Sequence, residues 1–233
     1  MDYHIVIAKY KEDISWLEEM NRSHIYVYDK GFEDISGEIQ NSLYNKFAHY
    51  EKRPNHGREG ETYLYHIVKH YDNLPEYIVL LQGNPFDHFR TQEKIQPEYL
   101  QKQIERAVNE KFMETSPLFS KYFIEMNYTW PGLKVPEYYS YIFQGSIEFS
   151  TFSPGCQYYL HKSKILCRPK AFWEKVHKML ENGKFYEGIE VTINSSHEKD
   201  IPFYKTGMNP WIFERLAGYF FNDTMYNPSF LED

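Results

Sequence analysis

The sequence predicts an α/β fold, a single Rossmann-like αβα sandwich with a mixed sheet and an irregular second half. The all-apolar run Tyr77–Gln82 is the first reason, because a short strand without polar alternation is typical of a parallel sheet covered by helices on both faces. The second reason is a strand–helix–strand pattern in the first thirty residues, which indicates a parallel pair joined by a crossover. Both observations place the centre of the sheet in the first half of the chain.

The first half is predicted to alternate between strands and helices. Strands are predicted at Tyr3–Ala8, Ile25–Tyr28 and Tyr77–Gln82, and helices at Ile14–Met20, Glu59–His70 and from Pro97 to Phe112. The helix at Glu59–His70 has an apolar stripe at helical spacing and an acidic first turn, which suits the positive end of the helix dipole. Residues 32–58 are polar and irregular, which indicates a functional loop or disorder.

The second half gives weaker signals. Strands are predicted at Phe123–Met126, Cys156–Leu160 and Ile189–Ile193, and helices begin at Pro169 and at Asn209-Pro210. Residues 127–137 are predicted to form a loop, and Ser153–Gly155 a turn. We therefore predict one domain over residues 1–233.

Composition and charge exclude several classes of protein. The chain has 233 residues, 42% of them hydrophobic, which is enough for a core without disulfides. A net charge of −7 gives no general attraction to nucleic acid or anionic membranes. Cys156 and Cys167 lack CxxC spacing, so they are predicted to be small buried apolar residues in a reducing compartment. Without a signal peptide or an apolar run of about 18 residues, the sequence predicts a soluble cytoplasmic protein with no membrane span.

Polar side chains follow the strand Tyr77–Gln82 at once. In open α/β sheets, ligands bind beyond the carboxyl ends of the strands, which makes Gln82 and Asn84 candidate binding residues. Asp87 offers the oxygen ligands that Mg²⁺ and Mn²⁺ prefer, and His88 suits Mn²⁺. The alternative is that this Gly-Asn-Pro segment is a purely structural turn.

A second candidate site precedes the helix at Glu59–His70. Backbone N–H groups at a helix start, the Arg58 guanidinium and a glycine that allows close approach together suit a phosphate. Asn55 and Glu59 flank this segment and complete the candidate set. The alternative is ordinary helix capping, with Arg58 in a salt bridge.

Other polar residues allow two interpretations each. Glu214 is either a general base aimed into a cleft or one half of an exposed charged pair with Arg215. His66 and His70 have a spacing that can bind a metal, but no acidic third ligand accompanies them, and they are predicted to be solvated surface histidines. A nucleophile elbow, a Walker loop and a GxGxxG motif are all absent from the sequence, which disfavours hydrolase, kinase and dehydrogenase chemistry.

Five segments, in order along the chain, resemble the motifs of a family known only as a domain of unknown function. They are Ala8–Leu17, Asn55–Leu64 around Gly57-Arg58-Glu59, Tyr71–Pro75 followed by Gln82–His88, Ser153–Gln157, and Pro210–Leu216. The family's layout is in turn similar to that of GT-A glycosyltransferases, which transfer a sugar from a nucleotide donor. That resemblance implies a nucleotide-binding-like half at residues 1–115 and an acceptor-side half at residues 116–233.

The same resemblance implies roles for the candidate residues. Tyr10 would stack on the base of a nucleotide-sugar donor, and Arg58 would contact the diphosphate within a site shared with Asn55, Glu59, Gln82 and Asn84. Asp87, with His88, would hold Mn²⁺ or Mg²⁺, and Glu214 would activate the hydroxyl of a glycan or small-molecule acceptor. GT-A enzymes carry an Asp-x-Asp motif at this place, whereas Asn84–His88 contains one Asp.

That difference keeps two other functions open. The chain is alternatively a carbohydrate-binding module of the same fold without turnover, which its many Tyr and Trp residues would suit. It is alternatively a metal-dependent hydrolase using Asp87 and His88, with His161 as a candidate third ligand.

Overall fold

The computed structural model describes residues 2–20, 22–31, 46–88, 97–111, 116–117, 122–125, 134–181, 210–222 and 224–232. The strands in these ranges are β1 (Tyr3–Lys9), β2 (Ile25–Asp29), β3 (His49–Lys52), β4 (Tyr77–Gln82), β5 (Ser116–Pro117), β6 (Tyr122–Glu125), β7 (Phe149–Phe152) and β8 (Tyr158–His161). The α-helices are α1 (Arg58–His70), α2 (Pro97–Asn109), α3 (Val135–Ile142), α4 (Ser163–Leu166), α5 (Lys170–Glu181) and α6 (Pro210–Phe220).

One mixed sheet organises the described chain. Its strand order is β3-β2-β1-β4-β8-β5, with β6 and β7 paired separately as an antiparallel ribbon. The four strands β3, β2, β1 and β4 are parallel, whereas β8 runs antiparallel to β4, and the two-residue β5 runs antiparallel to β8. From β1 the chain builds β2 and β3 on one side and then places β4 on the other side. The strand order therefore reverses between β1 and β4.

The central strands are buried on both faces. In β4, Ile78 and Leu80 face a core cluster that includes side chains of α1, α5 and α6. Val79 and Leu81 face a second cluster, which includes side chains of α2. Helices thus cover both faces of the sheet, as the all-apolar sequence of β4 predicts. The structure confirms an α/β fold with a mostly parallel sheet.

Most predicted elements of the first half are confirmed. The strands β1 and β2 end one residue later than predicted, β4 has the predicted bounds, and α1 starts one residue earlier. The predicted helix at Ile14–Met20 is a 3-10 helix at Ser15–Glu19. Phe112 lies outside the described residues, and α2 ends at Asn109.

The prediction of an irregular stretch over residues 32–58 is wrong for β3. This strand has the sequence His-Tyr-Glu-Lys and lies at the edge of the sheet. Its side chains are exposed or half-buried, so it lacks the apolar alternation that identifies a strand in a sequence.

Two predictions in the second half need correction. The helix α3 begins within the predicted loop at residues 127–137, although its buried residues do follow helical spacing: Val135, Tyr138, Tyr139 and Ile142. Residues 154–156 form a 3-10 turn, so β8 starts at Tyr158 rather than at Cys156. The strand β6 is shifted by one residue from Phe123–Met126. The predicted strand at Ile189–Ile193 and Asn209 lie outside the described residues.

His66 is buried, which contradicts the prediction of a solvated surface histidine. Its Nε2 lies 3.0 Å from Nδ1 of His4, and its Nδ1 lies 2.8 Å from the hydroxyl oxygen of Tyr28. The helix α1 packs against β1 as well as against α5 and α6. Because neighbours surround α1, its buried surface is wider than the apolar stripe alone indicates.

Candidate functional site

A cleft lies beyond the carboxyl ends of β1 and β4, where the strand order reverses. Ligands of open α/β sheets bind at such switch points, because the connections diverge there and leave a crevice. The cleft has a volume of about 310 Å³ and is lined by Ala8, Lys9, Tyr10, Glu12, Lys30, Asn55, Gly57, Arg58, Glu59 and Gln82. Most of the lining residues are polar or charged, which suits a polar ligand.

Five of the six predicted binding residues line this cleft: Tyr10, Asn55, Arg58, Glu59 and Gln82. Asn84 does not. Its side-chain oxygen instead accepts a hydrogen bond of 3.3 Å from the backbone N–H of Phe86, which supports the turn after β4. The structural-turn interpretation therefore describes Asn84 better than a binding role does.

Tyr10 is held at the mouth of the cleft through its backbone. Its N–H donates to Oε2 of Glu12 at 2.6 Å, and its carbonyl oxygen accepts from Nζ of Lys9 at 3.0 Å. A Cβ atom on Gly31 would lie 1.9 Å from that carbonyl oxygen, so only glycine fits there. The Tyr10 side chain is 38% exposed, which leaves its ring accessible for stacking.

Residues at the start of α1 form another part of the cleft lining. Gly57 and Arg58 both have left-handed backbone conformations, with φ of 58° and 50°. A Cβ atom on Gly57 would lie 2.6 Å from Cβ of Glu61 and 3.0 Å from the carbonyl oxygen of Leu180. The Arg58 side chain is exposed, with its guanidinium carbon 5.3 Å from the centre of the Trp211 ring. Arg58 can therefore reach a ligand while it rests on an aromatic face.

Sequence reasoning missed three charged lining residues: Lys9, Glu12 and Lys30. Lys9 ends β1, and its Nζ lies 2.9 Å from Oδ2 of Asp29, the residue paired with it in β2. Lys30 directly follows β2. The signal was present, because polar residues at the carboxyl ends of neighbouring parallel strands meet at one edge of the sheet. Predicting Lys9 and Lys30 as cleft residues from this rule requires knowing that β1 and β2 are neighbours in the sheet.

A buried charge network lies beneath the wall formed by α1. Nζ of Lys30 is 2.5 Å from Oε2 of Glu61, while Oε1 of Glu61 lies 2.7 Å from Nη2 of Arg53 and 2.8 Å from Nε2 of His177. Burial by itself would raise the pKa of Glu61, but the hydrogen bond with His177 and the Lys30 charge hold this pKa at about 2. Glu61 is therefore ionised at neutral pH and binds the strand ends to α1.

Glu214 is buried, so the interpretation as an exposed charged pair is wrong. Its Oε1 accepts a 2.7 Å hydrogen bond from the N–H of Gly155, and Oε2 pairs with Arg215. Burial raises the pKa of this carboxyl, against the opposing charge of Arg215. Gly155 in turn lies against the side-chain amide of Gln82, because a Cβ atom on Gly155 would be 2.5 Å from Cδ of Gln82. Glu214 is thus one residue removed from the lining of the cleft.

The segment after β4 is fixed by contacts from two other motifs. The indole N–H of Trp16 donates to the carbonyl oxygen of Gly83 at 2.8 Å. The Gln157 amide donates to the carbonyl oxygen of Pro85 at 3.2 Å and accepts from the N–H of Gln82 at 3.4 Å. Trp16 and Gln157, which belong to two of the motif segments named above, therefore position the end of β4.

The predicted metal ligands are only partly described. Residues Pro85–His88 form a 3-10 turn directly after β4, but the structure describes only the backbone of Asp87 and His88 and not their side chains. Among the described side chains, no group of three or more His, Cys, Asp or Glu is arranged to hold a metal ion.

His161 is too distant to complete a metal site with Asp87. It pairs with Tyr77, at the amino end of β4, whereas the turn containing Asp87 follows the carboxyl end. A strand of six residues separates its two ends by roughly 16 Å. Metal ligands must lie within about 2 Å of one ion, so His161 is not the third ligand of the hydrolase hypothesis.

A second cavity of about 390 Å³ lies among α3, the end of α4 and the C-terminal segment. It is lined by Gln144, Cys167, Arg168, Thr224, Met225, Tyr226 and Pro228. Cys156 is buried as predicted, but Cys167 is exposed at this cavity, which corrects the prediction that both cysteines are buried. Since this cavity is remote from the strand ends, the cleft at β1 and β4 is the better candidate site.

None of the helices in the described ranges combines the length and apolar character that crossing a membrane requires.

Similarity to known proteins is found at the level of the family. Neither the curated proteins nor the solved structures gave a match to this sequence. A family match covers residues 5–197, which is well over half of the chain and includes the cleft residues from Ala8 to Gln82. The chain belongs to the family described as a protein of unknown function (DUF3431).

Proposed function

We propose that this chain is a GT-A-like glycosyltransferase that moves a sugar from a nucleotide-sugar donor to the hydroxyl of a glycan or small-molecule acceptor. One observation carries the proposal. The cleft at the switch point between β1 and β4 brings together Tyr10, Arg58 and Gln82, which come from three separate segments of the chain. An accessible aromatic ring can stack on a nucleotide base, and a guanidinium in the same cleft can bind its phosphate oxygens.

The donor is proposed to bind with its base at Tyr10 and its diphosphate at the start of α1. The exposed Tyr10 ring offers a stacking face, and the Arg58 guanidinium offers paired N–H donors for phosphate oxygens. The positive end of the α1 dipole adds to the attraction of an anion. A volume of about 310 Å³ is at the lower end for ligand sites, so we expect the cleft to hold the nucleotide part and leave the sugar at its rim.

In the proposed reaction, the acceptor hydroxyl oxygen forms a bond to the anomeric carbon of the sugar while the bond to the diphosphate oxygen breaks. Arg58 stabilises the negative charge that develops on the leaving diphosphate. The hydroxyl proton passes to a carboxylate, for which there are two candidates. Glu59 has access because it lines the cleft, whereas Glu214 has the raised pKa that suits a general base.

A divalent metal remains part of the proposal only through Asp87 and His88. The turn that contains them follows β4 at the same end of the sheet as the cleft. Bound there, Mn²⁺ or Mg²⁺ would neutralise charge on the diphosphate. The roles proposed above belong to Tyr10, Arg58, Glu59 and Glu214, and none of these residues is proposed as a metal ligand.

A thermal-shift panel of nucleotides and nucleotide sugars, with and without Mn²⁺, tests the proposal. A ligand at about 100 times its dissociation constant stabilises the folded state by about 2.7 kcal/mol, which is easily measured as a rise in melting temperature. We expect a rise for wild type that is lost in Arg58→Gln and Tyr10→Ala. The matched control is Arg106→Gln, which removes an exposed guanidinium on α2, away from the cleft. If no member of the panel stabilises the wild type, the proposal is wrong.

A carbohydrate-binding module without turnover is the second candidate. It is favoured by the state of Glu214, whose two carboxylate oxygens are both engaged, by Gly155 and by Arg215. Release of nucleoside diphosphate in the presence of an acceptor separates the two functions. The enzyme hypothesis predicts turnover that is lost in Glu59→Gln or Glu214→Gln and in Asp87→Ala. The module hypothesis predicts sugar binding that survives Asp87→Ala, with no turnover in any variant.

A further inference from the structure

We infer that Lys30 is a positioning residue that shapes the diphosphate end of the cleft, segment Asn55–Glu59, without itself contacting the ligand. This inference rests on the proposed function, since it concerns how the same cleft binds the phosphate groups of its donor. It begins from the partners of one buried ammonium group.

The ammonium group of Lys30 makes two hydrogen bonds and one ion pair within the protein. Nζ lies 2.6 Å from the carbonyl oxygen of His56, 2.5 Å from that of Arg58, and 2.5 Å from Oε2 of Glu61. The ammonium group is thus held by two carbonyl oxygens and one carboxylate oxygen inside the protein. The side chain is also only 4% exposed. Lys30 therefore acts on its surroundings and does not bind the donor directly.

These two carbonyl contacts determine where the backbone N–H groups point. The peptide bonds after His56 and after Arg58 are trans, so each carbonyl points opposite to the N–H of the next residue. With both carbonyls directed at Lys30, the N–H groups of Gly57 and Glu59 point away from it. Gly57 and Glu59 both line the cleft, and in the proposed arrangement their N–H groups meet the phosphate there.

The left-handed backbone of this segment fits the same role. Gly57 and Arg58 have φ of 58° and 50°, and for a residue with a side chain, as at Arg58, this conformation is unfavourable. It turns two carbonyls that flank Gly57 toward one ammonium group. The contacts with Lys30 thus supply a local reason for the strained conformation, which a capping side chain does not, because α1 has no side-chain cap hydrogen bond.

The network beneath the segment keeps the Lys30 ammonium group close to carboxylates. Lys30 and Arg53 share the carboxylate of Glu61, and the charges of Glu59 and Glu51 also act on Lys30 and Arg53 respectively. Burial lowers the pKa of Lys30, while the Glu61 carboxylate works against this effect and favours the charged form. The charged ammonium group can therefore hold the two carbonyls while the N–H groups on their far side stay available to an anion.

The decisive comparison is the affinity for a nucleoside diphosphate against the affinity for the nucleoside alone. Lys30→Met keeps the length and apolar stem of the side chain and removes the ammonium group. By calorimetry, we expect Lys30→Met to lose at least about tenfold in affinity for uridine diphosphate, or for the nucleotide preferred by wild type, the loss typical of one charge-assisted hydrogen bond. The matching nucleoside, which lacks phosphate, is expected to bind both proteins equally.

A second variant separates positioning from a general loss of stability. Lys30→Met leaves the buried Glu61 carboxylate without one partner, so the double variant Lys30→Met/Glu61→Gln removes both charges. We expect the same selective loss of diphosphate affinity in the double variant, with a melting temperature closer to that of wild type. Equal losses for nucleoside and diphosphate, or an unchanged diphosphate affinity in a folded variant, would overturn the inference.

Hydrogen exchange distinguishes failure of this inference from failure of the proposed function. In the protein without ligand, the amides of residues 55–60 are expected to exchange faster in Lys30→Met than in wild type, because the segment loses its anchor. If wild type binds no nucleotide but this acceleration is observed, the proposed function is wrong and the positioning role of Lys30 stands. Unchanged exchange in the double variant would show that Lys30 does not hold the segment.

Discussion

Lowering the pH from about 7.5 to about 5.0 is expected to destabilise this protein through a histidine cluster at the end of the sheet opposite the cleft. His66 on α1 contacts His4 at the start of β1, with ring centres 5.1 Å apart, and His70 lies 4.4 Å from His66 by the same measure. The ionisable groups around them are His24, Tyr26, Tyr28, His49, Glu51, Tyr65, Lys69 and Asp2. Most of these neighbours are neutral or positively charged, so protonation of the cluster is opposed.

The direction of this pH effect follows from the protonation of His4 and His66 in the folded and unfolded states. Burial, aided by the positive charge that neighbouring histidines carry when protonated, lowers the pKa of His4 from 6.5 to about 3, and burial lowers that of His66 well below 6.5. Both side chains stay neutral in the folded protein at pH 5, whereas they are protonated in the unfolded chain. The unfolded state therefore binds more protons, and the free energy of unfolding falls as the pH drops below 6.5.

Together the two histidines are expected to lower the free energy of unfolding by about 3 kcal/mol at pH 5.0. One histidine that titrates only in the unfolded state costs about 1.4 kcal/mol per pH unit, which gives about 2 kcal/mol for fully buried His66 between pH 6.5 and 5.0. His4 is partly exposed, so solvent screening reduces its share to about 1 kcal/mol. For a chain of this length, about 3 kcal/mol lowers the melting temperature by roughly 6–12 °C.

Denaturant unfolding at several pH values between 7.5 and 5.0 measures this slope. Glu61 loses its stabilising charge below pH 4.5, outside this window, whereas the raised pKa of Glu214 opposes the histidine effect and does so equally in wild type and in the histidine variants. His66→Gln is expected to have a shallower slope than wild type, and His56→Gln, which removes an exposed histidine remote from the cluster, is expected to keep it. Equal slopes in wild type and His66→Gln would refute the reasoning.

Two further predictions concern the packing around the cleft. Gly155→Ala is expected to destabilise the fold by about 1–3 kcal/mol more than Gly145→Ala. Both glycines have a positive φ, but only a Cβ atom at Gly155 would collide with Gln82, at 2.5 Å. Chemical denaturation of both variants measures the difference, and equal losses of stability would contradict the contact. Lys9→Met is expected to lower the free energy of unfolding by about 3–5 kcal/mol, because it leaves Asp29 buried without its ion-pair partner. The double variant Lys9→Met/Asp29→Asn is expected to recover much of that stability. A double variant no more stable than Lys9→Met would show that the loss has another origin.

The central strands were predictable from the sequence because their signals are local. The apolar run of β4 carries enough information to predict a strand buried on both faces. Tyr10, Arg58 and Gln82 were identified because each lies at a strand end or a helix start, where α/β folds place their sites. Membership in the family is confirmed, whereas the GT-A-like layout and the cytoplasmic location remain predictions.

The features that the sequence did not reveal depend on contacts between distant segments. The edge strand β3 has no apolar face, so no local pattern distinguishes it from a loop. His66 is polar by type, and its burial depends on packing from several elements, with partners on β1 and β2. Lys30 lines the cleft because β2 adjoins β1, and Glu214 is buried against Gly155, far away in the sequence.

The central claim is that the cleft at the ends of β1 and β4 binds a nucleotide. Hydrogen exchange of the wild-type protein, with and without the nucleotide sugar that stabilises it most, tests this claim most directly. We predict slower exchange on binding in residues 8–12 and 55–60, which supply most of the cleft lining, and unchanged exchange in residues 224–228 at the second cavity. Protection confined to residues 224–228, or none at residues 8–12 and 55–60, would contradict the account.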